Sequence, residues 1–99
     1  MSEVPAFLKP LDERDPDFLR QVMELRAFTE ADGALSCKVK SLMSLLADAL
    51  LAHPEGVAAI ADRARAEGAS EQEIVETVRM AFMTGGLPAL VTALRALKR

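Results

Sequence analysis

An all-α chain, a compact bundle of about five helices, is what this sequence predicts, on three observations. Apolar residues make up 51% of its 99 residues but aromatics only 4%. The core must then come from Leu, Ala, Val, Ile and Met, and Ala and Leu lose little conformational freedom in a helix. Apolar positions recur at spacings of three and four, without the two-residue alternation of a strand. Helix start and stop residues separate these segments in the right order. A chain this short has room for one core.

Residues 1–14 carry Pro5 and Pro10 and read as an extended N-terminal arm, whose Val4, Phe7, Leu8 and Leu11 suit docking on a neighbour. Residues 15–99 read as a single helical domain. Asp15-Pro16 opens the first helix, Asp as N-cap and Pro at the first helical position, running to about Thr29 with Phe18, Val22 and Leu25 as its stripe. Ser36 caps a second helix, about Cys37 to Ala52. Its apolar set (Val39, Leu42, Met43, Leu45, Leu46, Ala49, Leu50) leaves a polar strip of Lys40, Ser41, Ser44 and Asp48. His53-Pro54 ends it, since the residue before proline is pushed off helical angles. A third helix, about Glu55 to Glu67, faces Val57, Ile60, Ala61 and Ala64 inward and closes at Gly68. Ser70 and Glu73 form a capping box for a fourth, to about Thr84, with Ile74, Val75, Val78, Ala81 and Phe82 as its apolar face. Gly85-Gly86 stops that helix. Pro88 starts a fifth, expected to bury Leu87, Leu90, Val91, Leu94 and Leu97.

The net charge of -3 argues against nucleic acid, which needs a basic face. Arg95, Lys98 and Arg99 are the one basic cluster, and they suit the end of a helix dipole. A single cysteine excludes an intrachain disulfide, and a reducing cytoplasm is the expected compartment. The longest apolar run, Leu42 to Leu51, is interrupted and falls short of the roughly 20 residues that span a bilayer, so no membrane partner is expected. One His, one Cys and scattered carboxylates give no metal set at known spacing, and no cofactor is expected.

Three segments carry a resemblance. Lys38-Val39-Lys40-Ser41-Leu42-Met43-Ser44-Leu45-Leu46, Glu67-Gly68-Ala69-Ser70-Glu71-Gln72-Glu73-Ile74 and Gly85-Gly86-Leu87-Pro88-Ala89-Leu90 stand in the order and spacing of the carboxymuconolactone decarboxylase / alkylhydroperoxidase-D-like family. The chain resembles that family over about sixty residues. The resemblance implies an alkylhydroperoxidase-D-like helical fold and a homo-oligomer, trimer or hexamer. Its redox members, of peroxiredoxin activity, carry a Glu, then Cys-x-x-Cys, then a His. Aligned without a gap, those positions hold Ser41, His53, Gly56 and Ile60. A dithiol mechanism is excluded at a site so degenerate. Members without the cysteine pair are implied to work by acid/base chemistry on a lactone acid.

His53, the single histidine, is the candidate acid/base near neutral pH, as proton donor or binder of a ligand carboxylate. The plainer reading is a surface residue closing a helix end. Gly56, Ile60 and Glu55 would line the same pocket, although Glu55 also suits the first turn of a helix for its charge alone. Cys37, one turn before Ser41, sits at a helix start beside Lys38, which is expected to lower its thiol pKa. It stands at the other end of the helix from His53, roughly 24 Å away at 1.5 Å per residue. Two further readings stay open: a non-enzymatic binding or assembly module, and a thiol peroxidase using Cys37 alone.

Overall fold

The computed structural model describes residues 4–98 and places five α-helices: α1 Lys9–Arg14, α2 Pro16–Glu30, α3 Cys37–Leu50, α4 Pro54–Ala66 and α5 Glu71–Ala93. Two 3₁₀ turns, Ala6–Leu8 and Leu94–Ala96, complete it, and no strand occurs among the described residues. Residues Met1 to Glu3 and Arg99 lie outside the described residues. The chain packs as two compact units that divide between Ala31 and Asp32.

In the first unit the expected extended arm is instead helical. Ala6–Leu8 forms a 3₁₀ turn and Lys9–Arg14 a short helix. Pro10, read as a helix breaker, lies in the first turn of α1, where its missing N–H costs nothing. Asp15 caps α2 as expected: the Phe18 N–H donates to its carboxylate at 3.2 Å. The apolar stripe of α2, which Leu19 and Met23 were expected to widen, is buried at Leu19, while Phe18 and Leu25 stand exposed.

The second unit holds the core. Helix α3 packs on α4 and α5, and α4 also packs on the C-terminal turn. Leu45, Val57 and Ile74 are fully buried at the centre, surrounded by alanines of α3, α4 and α5. Ser36 and Ser70 cap their helices as expected, and the Ser70–Glu73 capping box is closed from both sides. Glu73 also accepts from Lys38 Nζ at 2.9 Å, tying the start of α5 to α3.

The break expected at Gly85-Gly86 is present: α5 consists of two helical limbs, the fourth and fifth helices of the sequence reading, joined across a kink at Gly86 (φ 75°, ψ -165°). That backbone conformation is open to glycine. Beyond it the apolar face is the opposite of the expected one. Ala89, Ala93 and Ala96 are buried, while Leu87 is 63% and Val91 59% exposed. Phe82, Leu94 and Leu97 are exposed as well, and Leu90 packs partly on the core. Small side chains let this limb approach α3 and α4 closely; a leucine face would hold it off. By length and composition Glu71–Ala96 is apolar enough to cross a membrane, at a mean hydropathy of 1.3, which no uninterrupted run in the sequence suggested. Six of its residues nevertheless belong to the core of this unit: Ile74, Val78, Ala81, Ala89, Ala93 and Ala96.

Helices α3 and α4 end in the same way. At the first end the His53 N–H donates to the Asp48 carbonyl at 2.9 Å and the Ala52 N–H to Ala49 at 3.3 Å. At the second the Ala69 N–H donates to Ala64 at 2.9 Å and the Gly68 N–H to Arg65 at 3.0 Å. Both are Schellman closures, which need a left-handed residue. Gly68 fills that position at φ 102°, and Ala52 fills the other at φ 57°. Alanine pays a steric cost there that glycine does not. Ala52→Gly is expected to stabilise the protein by about 1 kcal/mol and Gly68→Ala to destabilise it by at least ~1 kcal/mol. Urea midpoints of the two variants moving in the same direction would contradict this.

Candidate functional site

Of the four positions expected from the resemblance, Ser41 lies at one end of the seam between α3 and α4 and His53 and Gly56 lie at the other. At one end Ser41 is 2% exposed. Its hydroxyl donates to Glu67 Oε1 at 2.5 Å and accepts from Arg63 Nε at 3.1 Å. A buried hydroxyl costs free energy unless both capacities are met, and here they are. Ser41 therefore belongs to the inside of the helix pair and not, as the polar strip suggested, to its solvent side. Glu67 reaches it from the end of α4, so a carboxylate stands beside position 41 although position 41 is not itself acidic.

At the other end His53 is the N-cap residue of α4, with no side-chain capping bond. Its Nδ1 lies 3.4 Å from Asp48 Oδ2. That is ion-pair range, longer than a tight hydrogen bond. The His53 side chain is 60% exposed and that of Asp48 22%. The carboxylate thus stands behind the ring and the ring faces solvent. Two features of the chain produce this arrangement. The left-handed Ala52 turns the backbone so that the N–H of His53 bonds the carbonyl of Asp48, placing the two side chains together. Gly56, three residues into α4, leaves the space they fill: a Cβ there would collide with Asp48 Oδ2 and His53 Nδ1.

Ile60 packs against the core and moves no protons. Glu55 is exposed in the first turn of α4, where the helix dipole favours it.

Cys37 is the first residue of α3, at the far end of that helix from His53. The expected lowering of its thiol pKa is reversed. Partial burial, then the carboxylates of Asp32 and Glu67, push the thiol above its ordinary value, and a backbone bond from Lys38 offsets them only in part. The Lys38 ammonium is turned away onto Glu73. Asp32 instead caps the helix, accepting from the Cys37 N–H at 2.7 Å. These neighbours disfavour the thiolate, the form in which a cysteine is nucleophilic.

Asp48, Arg63 and Glu67 were missed as partners in the sequence. Asp48 carried one usable signal, its place five residues before the histidine across a helix end. Arg63 and Glu67 carried none without the register of α4 on α3. Among the described residues no group of three His, Cys, Asp or Glu side chains gathers as a metal set. The first unit has an open pocket of about 560 Å³, lined by Val4, Pro16, Leu19, Met23 and Ala27 and edged by Asp12, Arg20 and Glu24. None of the candidate residues lines it.

Residues 16–99 match the model of the carboxymuconolactone decarboxylase family. No curated protein matches the chain, and no solved structure does.

Proposed function

Because the chain belongs to the carboxymuconolactone decarboxylase family, we propose that it binds a small carboxylated molecule at His53 and acts on it, where it acts, by acid/base chemistry. The observation that carries this reading is the Asp48–His53 pair at the solvent-facing start of α4. Loss of CO₂ from a lactone acid leaves an electron pair on the carbon that held the carboxylate. A proton must be delivered to that carbon, and an imidazolium is suited to deliver it near neutral pH. The positive end of the α4 dipole favours an anionic ligand beside the ring. Dithiol chemistry is not part of this reading, since positions 53 and 56 hold His and Gly. Nor is a peroxidase built on Cys37, whose thiol pKa is raised. The expected result is that wild-type protein binds a lactone carboxylate and His53→Ala loses at least tenfold in affinity, by calorimetry. Equal affinity of the two would sink the role of His53.

A second reading is a non-enzymatic assembly module built as a homo-oligomer. It is favoured by α5 and the turn that follows it, where Met80, Phe82, Met83, Leu87, Val91 and Leu94 are each 47–77% exposed. The stretch Met80 to Leu94 contains no charged residue. Scattered exposed leucines need no explanation, but a row of this kind marks an interaction surface. On this reading Leu87→Glu converts an oligomeric wild type to monomer in light scattering. A wild type that is already monomeric contradicts it.

A further inference from the structure

Resting on the reading of His53 as the working group, we infer that Asp48 is its positioning residue and that Gly56 is glycine so that the pair can form. Positions 48, 53 and 56 are then one linked set. Three independent features converge on the pair. The carboxylate of Asp48 is mostly buried, and such a group needs a partner. The backbone bond from the His53 N–H to the Asp48 carbonyl, made through a left-handed alanine, fixes the register that brings the side chains together. The one helix position that would block them lacks a Cβ. Any other side chain at position 56 displaces the ring, the carboxylate or both.

The chemical consequence concerns the imidazole tautomer. A bare nitrogen lone pair against a carboxylate oxygen is repulsive, so in the neutral ring Nδ1 carries the proton and faces Asp48. Nε2 is left with its lone pair directed away from the carboxylate, toward solvent and ligand. Protonated, the same nitrogen donates outward. Asp48 thus chooses which ring nitrogen works, without itself touching the ligand.

The chain holds one histidine, so ¹⁵N NMR of the imidazole reads this tautomer without assignment ambiguity. The measurement is made on free protein at pH 8.5, above the ordinary imidazole range. Wild type is expected to carry the proton on Nδ1. Asp48→Ala and Gly56→Ala are each expected to shift it to Nε2, the form free imidazole favours, with helical circular dichroism retained. A wild-type ring protonated on Nε2 overturns the inference, as does a folded Gly56→Ala protein with the wild-type tautomer. Should a variant lose its helical signal, the wild-type spectrum alone decides. Because no ligand is present, this outcome is separate from the His53→Ala binding result, and either can fail without the other.

Discussion

Ser41→Glu is expected to destabilise the protein by about 3 kcal/mol. The site is 2% exposed, and Glu67 already directs a carboxylate into it. A second carboxylate would be desolvated beside a like charge, and the larger side chain would overfill the seam. Arg63 stands within reach of both and would offset only part of the cost. Glu67→Ser in the same chain removes the like charge and the crowding together. The double variant is therefore expected to recover at least ~1 kcal/mol, as coupled neighbours do. Urea denaturation of the single and double variants checks this. Additive losses would show that the two positions do not share a site.

Arg65→Ala is expected to cost about 2 kcal/mol. The Arg65 side chain is 17% exposed and binds three segments. It donates to both oxygens of Glu71 at 2.6 and 2.9 Å, to Asp62 at 3.1 Å and to the Ala96 carbonyl at 2.7 Å. Most of the expected loss comes from the carbonyl of the buried Ala96, left without its donor. The exposed carboxylates contribute little, being screened by solvent. They do set a pH dependence. The Arg65 guanidinium holds the Glu71 carboxyl below the ordinary range, and Lys98 with Arg65 does the same for Asp62. A folded-state pKa below the unfolded one gives stability that is complete above the ordinary carboxylate pKa, near 4. It is lost as pH falls through the lowered folded value. Wild-type urea midpoints at low salt are thus expected to drop more between pH 6 and pH 3 than those of Arg65→Ala. Parallel pH profiles would contradict the role of Arg65.

Much of the fold was legible because its boundaries are set by local chemistry. Asp15, Ser36 and Ser70 cap their helices through side-chain bonds within three residues, and Gly68 closes α4 where a left-handed residue is required. Such bonds involve no distant partner, so the sequence determines them nearly alone. The second limb of α5 was misread because two faces compete. Leu87, Val91 and Leu94 make the stronger apolar stripe, but Ala89, Ala93 and Ala96 allow the closer approach, and close approach prevailed. The N-terminal helix was obscured by Pro10, which breaks a helix everywhere except in its first turn.

The site was half legible. His53 stands out as the single histidine, and its place before Pro54 locates it at a helix junction. Asp48 did not stand out, because a polar strip on an apolar helix normally faces water. Its pairing depends on Ala52 adopting a left-handed conformation, for which glycine would have been the usual sign. Gly56 looked like an erased cysteine, and only the positions of Asp48 and His53 give its missing side chain a purpose. Ser41 required the register of α4 on α3, which brings Glu67 across 26 residues of sequence.

The most direct test of His53 as the working group is a ligand titration followed at its own imidazole resonance, the one such signal the chain gives. With a lactone carboxylate added, the resonance is expected to shift in a saturable manner, and the shift to weaken in Asp48→Ala. A resonance that stays in place while calorimetry reports binding elsewhere would contradict a site at His53.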